Sequence, residues 1–142
     1  MTHGLDTSFL VAIEVSSHDK HRNSHALFHQ LLKAGETFSL TPQILAEFIH
    51  VVTDAKRFSS PLTIEQAVEQ AEFWWNASEI VHVFPTAEST LVFLGWLEEH
   101  KLGRKRILDT LLAATLQASG VRSMLTLNSP DFAIFGAFTF PK

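Results

Sequence analysis

A carboxylate set into the apolar side of a helix constrains this 142-residue chain more than any other feature. Arg104 to Ala118 reads Arg-Lys-Arg-Ile-Leu-Asp-Thr-Leu-Leu-Ala-Ala-Thr-Leu-Gln-Ala, followed by Ser119 and a stopping Gly120. At about 100° per residue, Asp109 projects between Leu112, Leu116 and Ala113, while Thr110, Thr115 and Gln117 fall elsewhere. A carboxylate there is expected to be mostly buried. Unpaired, it would cost several kcal/mol, so a cation, hydrogen-bond donors or a metal ion should partner it. The plainer reading is a first-turn acid on the helix dipole, worth about 0.3–1 kcal/mol. Arg104, Lys105 and Arg106 speak against it. Three cations at the positive end of a dipole are unfavourable unless an anion offsets them, as a phosphate-bearing ligand would.

Three further acids sit at comparable places. Leu5-Asp6-Thr7-Ser8 joins a short strand to a helix running through Phe9 to Val15, so Asp6 stands at a strand's carboxyl end, as a helix cap or as a site residue. Pro42 opens a helix to about Thr53 whose stripe is Ile44, Leu45, Phe48, Ile49, Val51 and Val52. Glu47 lies at the edge of that stripe, where it aims outward or into a cleft beside the core. Arg122 to Leu127 reads as a strand, and Asn128-Ser129-Pro130-Asp131-Phe132 as its turn into a helix. Asp131 is then an ordinary first-turn acid or a fourth carboxylate at a strand end.

The rest of the chain supplies the frame. A polar loop, Ser16 to Asn23, precedes a helix from about Ser24 to Ala34 with its stop at Gly35. His21, His25 and His29 recur every four residues, a spacing that admits zinc but with no acid beside it reads first as a solvated face. Thr37 to Thr41 is a strand. Thr63 and Gln66 spell a capping box for a helix carrying Phe73-Trp74-Trp75, expected in the core or a subunit contact. Glu79 to Phe84 is strand-like. Glu88 to Glu99 is a helix with Leu91, Leu94, Trp96 and Leu97 inward, and Phe135 to Phe140 is an apolar edge strand.

Alternating strands and helices predict one α/β domain over residues 1–142, a central, mainly parallel sheet of about five strands between two helix layers. Ligands bind at the carboxyl edge of such sheets, which gathers Asp6, Glu47, Asp109 and Asp131 on one side. Net charge is −4, so any nucleic-acid contact has to be local or metal-mediated. The absence of cysteine excludes disulfides and thiolate metal sites and fits a cytoplasmic home. No apolar run spans a membrane, and no signal peptide is read at the start.

Leu5-Asp6-Thr7-Ser8-Phe9-Leu10, Ala46-Glu47-Phe48, Ile107 to Ala114 and Leu125-Thr126-Leu127-Asn128-Ser129-Pro130-Asp131-Phe132 resemble, in order and spacing, the motifs of PIN-domain ribonucleases. The likeness is nearest to VapC-type toxins of bacterial toxin–antitoxin pairs. It implies a three-layer PIN fold and an Mg²⁺- or Mn²⁺-dependent endoribonuclease leaving a 5′-phosphate and a 3′-hydroxyl. It implies that Asp6, Glu47 and Asp109 form the acidic metal site, completed by Asp131 or Asn128. Ser8, Thr126 and Asn128 are then supporting polar groups, and Arg104, Lys105 and Arg106 are candidates for substrate phosphates or a solvated charge run. A homodimer, a cognate antitoxin and an RNA substrate are implied as partners. The chain departs from the family pattern at two places: His3-Gly4 occupies the first strand where the family usually has an apolar run, and the last motif offers both Asn128 and Asp131. Two other readings remain, a PIN-like binding module with vestigial acids and a small phosphatase with a nucleophilic Asp.

Overall fold

The computed structural model describes all 142 residues. Strands β1 (Thr2–Leu5), β2 (Thr37–Leu40), β3 (Ile80–His82) and β4 (Ser123–Leu125) form one sheet in the order β3-β2-β1-β4, and every neighbouring pair is parallel. Six helices connect them, α1 (Thr7–Glu14), α2 (His21–Lys33), α3 (Pro42–Val52), α4 (Ile64–Asn76), α5 (Ala87–Glu99) and α6 (Ile107–Ala118), and a seventh, α7 (Ser129–Ala133), follows β4. A 3₁₀ turn, Arg104–Arg106, leads into α6.

Topology fixes the layers. From β1 to β3 the chain steps outward on one side, and from β3 to β4 it crosses back to the far side of β1. Right-handed crossovers therefore put α1 to α4 on one face and α5 and α6 on the other. The packing agrees, α1 against α2 and α3, α3 against α4, α5 against α6, and α6 against α7. Strand order reverses between β1 and β4. The crevice beyond their carboxyl ends is the switch point where open parallel sheets take ligands.

The chain's caps are those its residues encode. Thr41 Oγ1 accepts from Ile44 N ahead of Pro42, Thr63 and Gln66 close a capping box on α4, and Gly120, at φ 80°, ends α6 where a Cβ would be strained. Phe38, Phe48, Phe132, Leu10, Leu112, Leu116 and Met124 fill the core around the two central strands. The anomalous His3-Gly4 pair has a packing cause. A Cβ on Gly4 would lie 2.6 Å from Leu116 Cδ1, so glycine lets α6 press onto β1. Beside it His3 is buried with Nδ1 2.7 Å from Ser123 Oγ, a polar pair between neighbouring strands.

Several expectations need correction. The sheet has four strands, because Phe135 to Phe140 makes one bridge, Thr139 against Ser123, and no strand. The turn at Gly136 precedes it, and Pro141, which has no N–H, follows too closely for a ladder to grow. Leu91 and Leu94 point outward, 72% and 53% exposed, since α5 rests on α6 through its other side, including the wholly buried Ser89. Helix α2 begins at His21, three residues ahead of Ser24; His25 and His29 are exposed, but His21 is only half-exposed, its Nδ1 2.9 Å from the Ala12 carbonyl. Of the aromatic triplet, Trp74 is core and donates to Glu14 Oε1 at 2.7 Å, whereas Phe73 is 74% exposed. Within α6, Thr110 and Thr115 share the buried side, their hydroxyls satisfied by the carbonyls of Arg106 and Leu111 at 2.7 and 2.8 Å.

Candidate active site at the sheet switch point

Asp6 leaves β1 at its carboxyl end, and the first turn of α1 starts on its side chain. Its Oδ1 accepts from Thr7 N at 2.8 Å, and Oδ2 accepts from Ser8 Oγ at 2.9 Å and Thr126 Oγ1 at 2.6 Å. It therefore caps the helix and also faces the crevice. Both neighbouring strands take part, because Thr126 follows β4, the partner of β1 across the switch point. Thr126 Oγ1 also accepts from Asn128 N at 3.0 Å, and Ser8 Oγ from Leu127 N at 3.0 Å. Of the three supporting groups, Ser8 and Thr126 touch Asp6 directly, while Asn128 contributes through its backbone. Burial pushes the Asp6 carboxyl above the ordinary range against the pull of these donors, and the nearby charge of Asp131 adds to the rise.

Glu47 approaches from the second turn of α3, half-buried. Thr7 Oγ1 and Gln43 Nε2 donate to its Oε2 at 3.2 and 3.3 Å. Its pKa is raised, first by desolvation and also by Asp6. Asp109, in the first turn of α6, is half-buried at the rim of the crevice rather than mostly buried. Its pKa is raised to about 6, by desolvation first and then by Asp6, with Asp131 and Glu47 adding and Arg106 opposing. Asp109 thus feels the charge of the three other acids, each on a separate segment.

The cation of this cluster is Arg106. Its NH1 lies 3.5 Å from Asp131 Oδ1, NH2 donates to the Asp131 carbonyl, and Nε is buried without a partner. Asp131, 43% exposed, is thereby tied to the 3₁₀ turn. Arg104 and Lys105 are exposed on that turn. Sequence reasoning missed Thr7 and Gln43. The signal for Gln43 was its position four residues before Glu47, which places both on one helix face.

The donor set suits a hard divalent cation. Carboxylate oxygens dominate it, and Asp6, Glu47 and Asp109 have raised pKa values, from burial first and from neighbouring acids second, both of which a bound cation would offset. As they stand, no three of these acids converge closely enough to hold an ion. A cation would have to draw them together.

The family profile for the PIN domain matches residues 5–133, and the chain belongs to the PIN domain family. Among solved structures it is similar to VapC20 of Mycobacterium tuberculosis, described as a sarcin-ricin loop cleaving toxin, with TM-score 0.75 and 17% identity over all of both chains. It is also similar to VapBC2 from Rickettsia felis bound to a DNA fragment from their promoter, TM-score 0.67 and 20% identity over 99% of this chain and 97% of that one. VapBC-1 from nontypeable Haemophilus influenzae matches at TM-score 0.67 and 16% identity over 100% and 98%. At these identities the likeness is one of fold. No curated protein matches the sequence.

Proposed function

We propose that this chain is a divalent-metal-dependent endoribonuclease and the toxin half of a toxin–antitoxin pair. The observation that carries the reading is the gathering of Asp6, Glu47, Asp109 and Asp131 at the switch point of a PIN fold, with Asp6 and Glu47 joined through Thr7, and the pKa values of Asp6, Glu47 and Asp109 raised by burial and by neighbouring acids. Structural neighbours described as a cleaving toxin and as a toxin–antitoxin complex support it.

In this reading Asp6, Glu47 and Asp109 hold Mg²⁺ or Mn²⁺. When bound, the ion supplies neutralising charge and a water of lowered pKa for attack at phosphorus. The protein's own part is placement. Ser8 and Thr126 hold Oδ2 of Asp6 while Thr7 N holds Oδ1, so that carboxylate is fixed at the crevice by both oxygens, whereas Thr7 and Gln43 hold one oxygen of Glu47 and leave the other unbonded. Arg106 holds Asp131 at the rim, and Arg104 and Lys105 offer exposed positive charge for the flanking phosphates of an RNA strand. Hydrolysis leaves a 5′-phosphate and a 3′-hydroxyl. The exposed Leu91 and Leu94 of α5 and Ile107 and Leu108 of the adjoining α6 support a homodimer formed on this side, and an antitoxin is the proposed inhibitor.

The test is cleavage of end-labelled single-stranded RNA by antitoxin-free protein with Mn²⁺, Mg²⁺ or EDTA, alongside Asp6→Ala and Asp109→Ala. Ion-dependent cutting that both substitutions abolish is expected. Folded protein that cuts nothing under any condition would replace this reading with that of a binding module.

A further inference from the structure

Gln43 is the one side chain whose hydrogen bonds join α3, which carries Glu47, to α6, which carries Asp109. It sits four residues before Glu47 on α3, so the two side chains lie on one face of that helix. Its Nε2 donates to Glu47 Oε2 at 3.3 Å and to the backbone carbonyl of Leu108 at 3.0 Å. Leu108 directly precedes Asp109 on α6. Because α3 and α6 lie on opposite faces of the sheet, this bridge crosses the crevice between them. Both partners are acceptors, so the amide has to present its nitrogen to them, and the NH₂ group has two hydrogens to give. No carboxylate, hydroxyl or hydrocarbon of similar length at position 43 could donate twice.

From this geometry we propose that Gln43 is a positioning residue of the metal site: it fixes the Glu47 carboxylate through Oε2 and locks the backbone of α6 beside Asp109, setting the gap that a divalent ion must span. The proposal rests on the metallonuclease reading above. Thr7, the other donor to Glu47 Oε2, bonds within the α1–α3 side alone and cannot set that gap. A partner one step behind a metal ligand typically changes metal affinity by roughly 10–100-fold when removed. Gln43 contacts no exposed cation on the substrate side, so its loss should act on the ion and not on RNA binding.

The experiment is Mn²⁺ titration by calorimetry of the wild type, Gln43→Leu and Gln43→Met, with the thermal midpoint of each metal-free protein measured in parallel. Gln43→Met preserves side-chain length if Leu disturbs packing. The expected result is an Mn²⁺ Kd weakened by roughly 10–100-fold in both folded variants. In RNA cleavage, kcat at limiting Mn²⁺ falls, KM for RNA holds, and saturating Mn²⁺ recovers much of the rate. Wild-type affinity in either folded variant would overturn the role of Gln43 and leave the metal site standing. A wild type that takes up no Mn²⁺ would overturn both, and Asp6→Ala in the same titration separates binding at this site from binding elsewhere.

Discussion

Asp109→Asn is expected to stabilise the metal-free protein, with a gain that depends on pH. The carboxyl titrates near 6 in the folded chain against an ordinary value of 3.8. Each pKa unit corresponds to about 1.4 kcal/mol, so a shift of about two units would cost about 3 kcal/mol if fully realised. Asp109 is only half-buried, and solvent screening reduces this to about 1–2 kcal/mol. The folded state binds the proton more tightly than the unfolded chain. Stability therefore falls as pH rises from about 4 to about 6, and the whole penalty is present above that window. Asparagine has no charge to desolvate or to repel Asp6, Asp131 and Glu47. In EDTA at pH 8, Asp109→Asn should melt about 3–8 °C above the wild type, and the difference should shrink toward zero near pH 4. Scanning calorimetry from pH 4 to 8 measures this. A wild type as stable as the variant at pH 8, or a gain that ignores pH, would refute the argument that the site stores repulsion for a cation to relieve.

Thr126→Val keeps the side chain's shape and removes the 2.6 Å bond to Asp6 Oδ2, so urea unfolding at pH 8 should show a loss of about 1.5–3 kcal/mol. Gly4→Ala puts a Cβ against Leu116 and should cost about 1–3 kcal/mol by the same assay, while Gly95→Ala, in open space on α5, should not destabilise. Millimolar Mn²⁺ should raise the melting temperature of the wild type, by about 2.7 kcal/mol of stabilisation at a hundred times Kd, and do so much less in Glu47→Gln.

How much of this was legible from residues alone differs from element to element. Helix starts and stops were readable at Pro42, Thr63 and Gly120, because caps, capping boxes and left-handed termini are local. The parallel α/β architecture followed from alternating patterns and the handedness of crossovers. Four acids beside apolar residues at corresponding strand and helix ends marked the crevice. Where local pattern ran out, two of the errors share a cause. Hydrophobicity placed Leu91 and Leu94 inward and made a strand of Phe135 to Phe140, but a helix has a core side only where another element covers it, and a strand needs a free partner edge.

The sequence by itself determined the elements, their order and which residues were eligible for the site. Only the tertiary structure decided how those residues meet. Thr126 reaches Asp6 across 120 positions of chain, and Gln43 reaches the Leu108 carbonyl across 65. Arg106 turns to Asp131 while Arg104 and Lys105 remain in solvent. Those outcomes depend on the order in which four strands lie side by side and on how closely α6 settles over Gly4. Hydrogen bonds of this kind act over about 3 Å, so no periodicity along a chain can announce them before the sheet has brought their ends together.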